Sequence, residues 1–268
     1  MEVNNFANIS SNWEYVLPPS RPSTEELIRI QTVLCNIDRE CPIAVLGSTI
    51  EFRNLLHELN FQNITIFEKN KDFYEWTKCW IAYDTDNENV VWGDWLDTIG
   101  EYKNHFMMIL SDLTMGNIPY DKRSHFYEKI YNALLAEGYF VDKVLMNDIP
   151  LISLKQILEQ YECLPINLLT VNRFSCEALF CSELLEEGII DTSKFYLKLY
   201  SEFANSKKML KFLEKCHLIT PEKCVWYYGK PWNEVKIEYQ QPYKKCLVFE
   251  DVMDSPYFGR SKQLINIK

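Results

Sequence analysis

The chain has 268 residues, room for one large α/β domain with an insertion, and a net charge of −10 that argues against a phosphate-neutralising face for nucleic acid. No apolar run approaches the ~20 residues of a membrane span, and the nine cysteines contain no C-x-x-C pair, which argues against a compact zinc site and suits a reducing cytoplasm. The expected partner is therefore a small molecule or a peptide-like substrate, bound by a cytoplasmic protein acting alone or as a homodimer, with no metal, nucleic acid or membrane involved.

Residues 1–23 read as an irregular arm ending in Pro18-Pro19-Ser20-Arg21-Pro22. Ser23 or Thr24 caps a helix running to about residue 37, with Leu27, Ile30, Val33 and Leu34 as its apolar stripe. A short apolar run, 42–46, then stops at Gly47, as a strand buried on both faces does. A helix over 51–59 leads to a second buried strand, 63–68, that ends in Glu68. An aromatic helix over 72–83, a strand over 89–93, a strand over 106–110, an amphipathic helix over 123–136 and a strand over 138–145 follow. Strands alternating with helices predict a doubly wound, mostly parallel sheet of class α/β. Residues 151–242 read instead as a helical cap, with helices near 152–162, 175–187, 193–204, 206–216 and 231–239. Two strands, 245–252 and 262–268, form a C-terminal hairpin that completes the sheet as residues 243–268.

Ligands of such sheets lie beyond the carboxyl ends of the strands. The residues there are therefore the candidates. Gly47 lets the backbone turn close to a ligand, and Ser48, Thr49 and Glu51 open the next helix. Glu68 follows Gly47 by about 20 positions, the offset at which a nucleotide-binding βαβ unit places a carboxylate for two ribose hydroxyls. Lys69 adjoins it. Gly93, Asp94 and Trp95 follow the third strand, where an acid accepts from an exocyclic amine and a ring packs on a base. Asp112 and Leu113 follow the fourth strand, at the centre of the cleft, where a carboxylate meets a cationic group and borders the reaction space.

This order resembles the class I S-adenosylmethionine (SAM) methyltransferases over roughly residues 24–150 and 243–268. The turn Leu135-Ala136-Glu137-Gly138 is similar to the family's turn before strand five, and the terminal hairpin is similar to its sixth and seventh strands. The resemblance implies a seven-stranded Rossmann-like core with SAM as cofactor. The first loop would hold the methionine end, Glu68 the ribose and Asp94 the adenine, with the turn at Asp112 facing the methyl group. It also implies an N-terminal arm folded over the cofactor, in which Tyr15 or Arg21 meets the SAM carboxylate. The family's Gly-x-Gly-x-Gly loop is here Gly47, Thr49 and Glu51, a pattern similar to that of some small-molecule methyltransferases.

Two further signals concern chemistry. Asn117-Ile118-Pro119-Tyr120 resembles the tetrapeptide with which adenine N6 dimethyltransferases receive an amino group, but it sits five positions beyond Asp112, which makes Asn117 and Tyr120 substrate candidates by analogy alone. His125, on the helix after strand four, is the histidine closest to the expected cleft and the candidate general base beside Asp112. The sequence reading is thus a SAM-dependent methyltransferase acting on O or N of a small organic or amino-acid-like substrate. A catalytically inactive binding or assembly protein and a nucleic-acid N-methyltransferase are the alternatives. An NAD-dependent oxidoreductase is disfavoured by the missing second and third glycines.

Overall fold

A computed structural model describes residues 6–148, 150–182, 188–228, 230–240, 242–250 and 260–268. Its strands are β1 (Ile43–Leu46), β2 (Ile64–Glu68), β3 (Glu88–Trp92), β4 (Phe106–Ser111), β5 (Leu134–Leu145), β6 (Ile189–Asp191), β7 (Val225–Tyr227), β8 (Lys245–Glu250) and β9 (Ser261–Ile267). Its helices are α1 (Phe6–Ser11), α2 (Thr24–Leu34), α3 (Ile50–Glu58), α4 (Lys71–Thr77), α5 (Trp95–Thr98), α6 (Arg123–Ala133), α7 (Leu154–Glu162), α8 (Leu168–Phe180), α9 (Thr192–Glu202), α10 (Lys207–Cys216) and α11 (Trp232–Gln240).

Seven strands form one sheet in the order β3-β2-β1-β4-β5-β9-β8. Strands β1 to β5 run parallel, and β9 lies antiparallel between β5 and β8. Alternation of side chains divides the apolar residues between the faces. Ile43 and Val45 of β1 pack with Leu56, Ile30 and Leu34 on the side of α2 and α3. Ala44 and Leu46 pack with Phe126, Ile130 and Phe140 on the side of α6. Both faces of β1 are buried, which is why its sequence reads as an unbroken apolar run. Of the two expected caps, Ser23 is the one that caps α2, in a reciprocal capping box with Glu26.

Several boundaries differ from the sequence reading. The aromatic helix expected over 72–83 ends at Thr77 and tightens into a 3₁₀ turn, Lys78–Trp80, because the Trp80 indole turns back to donate to Ser10 O at 2.6 Å. The expected turn at Leu135–Gly138 is a bulge inside β5. Phe106 pairs with Leu134 and Met108 with Tyr139, so residues of β5 loop out between them, with Glu137 at φ +62°. The arm is not irregular throughout, since it holds α1 and a 3₁₀ turn, Trp13–Tyr15. The helix expected over 175–187 begins earlier, at Leu168, capped by Asn167, and residues 183–187 lie outside the described residues. The expected strand 245–252 is seen to Glu250, and the loop holding Pro256 and Gly259 also lies outside them.

Helices α7 to α10 with the β6–β7 hairpin share a core built on Phe174, Tyr161, Phe203 and Phe212. Helix α11, expected in the cap, packs instead beside α6, with Val235 and Trp232 in the apolar layer of the sheet. Among the described residues no helix is long and apolar enough to cross a membrane, and no cluster of His, Cys, Asp and Glu is placed to hold a metal ion.

Candidate active site

A cavity of about 340 Å³ lies at the carboxyl ends of β1, β2 and β4. The strand-end loops form its floor through Gly47, Ser48, Thr49, Glu68, Lys69, Asp112, Leu113 and Asn117, with Trp95 from the start of α5. The arm adds Ile9, Trp13 and Val16, and the cap adds a roof from α8 and from residues 219–228.

The first loop owes its shape to Gly47, which sits at φ +84°, a region costly for other residues, and donates its N–H to Phe67 O at 2.8 Å. Helix α3 begins just after it, and no side chain caps its N-terminus although Thr49 is the N-cap residue and lines the cavity. A ligand carboxylate is the natural complement of such an end. Glu51 does not enter this loop. Its carboxylate accepts from the Trp13 indole at 2.8 Å and lies 3.6 Å from Arg21, so it clamps the arm. Burial pushes its carboxyl above the ordinary range, against the pull of the Trp13 hydrogen bond and Arg21. Arg21 is thereby held against protein and not on the cavity wall, and Tyr15 is likewise absent from that wall.

Glu68 is buried and lines the cavity. Its Oε2 accepts from Ser48 N at 3.1 Å and Ser48 Oγ at 3.0 Å, and its Oε1 accepts from Asn70 N at 2.8 Å. A carboxylate offers about four acceptor positions. Glu68 therefore ties the first two loops together and retains limited capacity for a ribose hydroxyl. After β3, Gly93 sits at φ +150°, where a Cβ would lie 2.7 Å from Thr98. Asp94 turns away from the cavity to cap α5, accepting from Leu96 N at 3.0 Å, with Lys69 at 3.7 Å. Trp95 is on the wall, its indole donating to Phe67 O at 3.0 Å.

Asp112 is the most perturbed acid of the site. It is enclosed, and Lys143 Nζ lies 2.8 Å from its Oδ1. Lys143 also donates to Arg21 O at 2.8 Å and reaches Glu26 at 3.4 Å. Burial pushes the Asp112 carboxyl up to about 7 despite the pull of Lys143, with Glu26 and Glu51 adding to the rise. A raised acid contributes stability that is fully present below its unfolded value of 3.8 and is lost as pH rises through about 7. The shift of about three units caps this contribution at about 4 kcal/mol. Urea unfolding from pH 4 to pH 8 is expected to show a decline in the wild type that Asp112→Asn flattens. An undiminished slope in the variant assigns the decline to another group.

The loop after β4 is bolted to the cap. Leu113 stands at φ +58°, and its carbonyl accepts from Tyr228 Oη at 3.2 Å. Tyr120 of the adenine-methylase-like tetrapeptide donates to Gly188 O at 2.9 Å and meets Tyr227 edge to face, so it is a docking residue and absent from the cavity wall. Arg123, fully buried, lies 4.3 Å over the Tyr120 ring and donates to Ile118 O and Tyr227 O. His125 is exposed on the outer side of α6, 3.7 Å from Glu128, because the helix turns that position to solvent.

Sequence reasoning missed Lys143, Glu26 and Tyr228. Lys143 had a legible signal, since a charged pair, Asp142 and Lys143, interrupts an apolar strand and both are buried. The roof was legible as a helical cap with aromatic residues, Phe180 and Trp226 among them, but those residues read equally as core.

The chain aligns over 97% of its length with 98% of a protein from Rhodobacter sphaeroides provisionally named a Zn-dependent alcohol dehydrogenase, at 15% identity and a TM-score of 0.52. It aligns over 96% of its length with 98% of the PH0226 protein from Pyrococcus horikoshii OT3, at 12% identity and a TM-score of 0.51. These likenesses show a shared fold, and the strand order with one antiparallel strand at position six defines its type. The fold is that of the class I methyltransferases. The glycopeptide N-methyltransferase MtfA, solved with SAM, aligns with half of the chain at 16% identity and a TM-score of 0.40, and the chain spans 61% of that protein. No protein-family model and no curated protein matches the sequence.

Proposed function

We propose that the chain is a SAM-dependent methyltransferase acting on O or N of a small organic or amino-acid-like substrate enclosed beneath the cap. The observation that carries this reading is the single cavity wall that unites Gly47, Thr49, Glu68, Trp95 and Asp112 from four strand-end loops of a methyltransferase-type sheet. Bound SAM supplies an electrophilic methyl group on a sulfonium, so the protein's task is alignment and proton management.

The residues present suit that cofactor. The uncapped start of α3, with the Thr49 hydroxyl, would take its carboxylate. Glu68 would meet the ribose, and Trp95 would offer a ring face. Asp112 would face the cationic end. A carboxyl that titrates near neutrality is also placed to accept the proton of a substrate hydroxyl or amine. His125 and Tyr120 have no part in this reading. The roof and arm exclude water and limit the substrate to a small molecule, because the enclosed volume lies at the lower end of the usual range of ligand pockets.

Isothermal titration of SAM into the wild type and Glu68→Ala tests the assignment. Micromolar binding is expected, weakened at least tenfold by the substitution, which corresponds to about 1.4 kcal/mol. Glu68→Gln, whose single amide oxygen can still accept from Ser48 while its NH2 group would face the Asn70 N–H, keeps part of the loop tie and so measures how much of the loss comes from that tie. Absence of wild-type binding would overturn the reading. Binding without turnover on any acceptor would favour a binding or assembly role, for which the hydrogen bonds already made by Glu68 are the supporting observation.

A further inference from the structure

Three tryptophans line the cavity: Trp13 from the arm, Trp95 from the floor and Trp226 from the roof. The first two commit their indole N–H groups to protein, Trp13 to Glu51 at 2.8 Å and Trp95 to Phe67 O at 3.0 Å. Trp226 differs. It is half-buried, and among the described residues no acceptor meets its indole N–H. Its ring lies 6.2 Å from Phe180 at an interplanar angle of 30°, so the two rings form a continuous aromatic wall, extended by the apolar side chains of Leu179 and Ile219. A ring that lines a cavity and keeps a spare donor recognises a flat apolar body with an acceptor at its edge. The cation on the described wall is Lys69, which is largely exposed and lies 3.7 Å from Asp94, so among the described residues no cation of the roof compensates a buried carboxylate.

We propose that the cap side of the cavity takes a neutral, planar aromatic ligand that carries, besides the hydroxyl or amine that accepts the methyl group, a ketone or phenol oxygen as hydrogen-bond acceptor, with Phe180 and Trp226 as the stacking wall and the Trp226 indole as the donor. This deepens the functional reading above by naming the substrate class of the same cavity. It excludes aromatic acids and saturated rings of the same size.

The test is calorimetric titration of three probes into the full chain, with and without saturating S-adenosylhomocysteine: acetophenone, cyclohexyl methyl ketone and benzoate. Acetophenone is expected to bind at least tenfold more tightly than its saturated analogue, and benzoate to give no heat once S-adenosylhomocysteine occupies the start of α3. Trp226→Leu is expected to abolish the preference for the aromatic ketone. Trp226→Phe, which keeps a ring and removes the donor, is expected to retain the preference while weakening acetophenone severalfold. Equal binding of the two ketones, tighter binding of benzoate, or wild-type affinity in Trp226→Leu would overturn the proposal. Failure of S-adenosylhomocysteine to bind the wild type is a separate result. It refutes the cofactor reading, while the titrations without it still decide the aromatic site. Thermal melts of both variants report whether the cap stays folded, and Phe180→Leu provides a second route to the same loss of stacking should Trp226→Leu not fold.

Discussion

Arg53→Ala is expected to destabilise the protein by about 3–5 kcal/mol, the cost of breaking a fully buried ion pair and leaving its partner charged. Arg53 on α3 is fully buried and holds Glu88 by two hydrogen bonds, Nε to Oε1 at 2.9 Å and a terminal nitrogen to Oε2 at 2.7 Å. Thr77 accepts from the same guanidinium at 3.2 Å, and the Tyr74 ring lies 4.6 Å beneath it. Glu88 also receives the Tyr74 hydroxyl at 2.9 Å and contacts His57 Nε2 at 3.0 Å. These contacts hold α3 and α4 to the start of β3, and so fix the helix whose N-terminus opens on the cavity. Burial by itself would raise the Glu88 carboxyl, but hydrogen bonds from His57 and Arg53 and the guanidinium charge outweigh it and hold the group below its ordinary 4.5. The stability this supplies is present above about 4.5 and is lost as pH falls through the lower folded value. In Arg53→Ala this loss at low pH is expected to shrink, because the guanidinium's share of the lowering is gone while the hydrogen bonds from His57 and Tyr74 remain. Urea midpoints from pH 3 to pH 7 measure both effects. Arg53→Met combined with Glu88→Leu is expected to recover part of the loss, since an apolar pair needs no desolvation but the Tyr74 hydroxyl and His57 lose their partner. If Arg53→Ala keeps the wild-type midpoint at pH 7, the network is not what joins these elements.

Gly116→Ala is the second large effect, and it acts on the union of cap and core. A Cβ at Gly116 would lie 1.9 Å from two ring carbons of Tyr228 and 2.2 Å from its hydroxyl. That ring is enclosed, so it has nowhere to retreat without leaving its place on the cavity wall and releasing Leu113 O. Overpacking costs about 1–3 kcal/mol, and the lost hydrogen bond adds about 1 kcal/mol. At roughly 2–4 °C per kcal/mol for a chain of this size, the melting temperature is expected to fall by roughly 5–15 °C. Tyr228→Ala removes the obstacle. In that background Gly116→Ala is expected to have little further effect, a coupling that a thermodynamic cycle measures directly. Additive losses would show that the glycine is required for some reason other than the ring. Ligand affinity should fall together with stability in the single variant, because the displaced ring belongs to the cavity.

The local pattern of the chain determined the sheet. The run from Pro42 to Gly47 and the run from Asn63 to Glu68 read as strands buried on both faces, because short β-branched and aliphatic runs stopped by a glycine or an acid are too brief for a helix. The same logic placed Gly47, Glu68 and Asp112 at strand ends, where a parallel sheet gathers them. It also exposed the departure at Glu51 without saying where that carboxylate points. Short or tertiary features were not legible in this way. Strands β6 and β7 have three residues each, too few to show a period, and their pairing depends on residues about 35 positions apart. The orientation of Tyr120 and His125 is a matter of what packs against them: Gly188 and Tyr227 claim one, and solvent the other. Glu51 and Lys143 carry charges whose direction depends on partners remote in sequence, Trp13 and Arg21 for the first and Asp112 and Glu26 for the second. Period and composition act over one or two turns of chain and so determined the elements and their ends. Burial of a charge, a clash with a glycine and the closure of a roof over a cavity depend on distances set only when those elements meet, and these the tertiary structure alone decided.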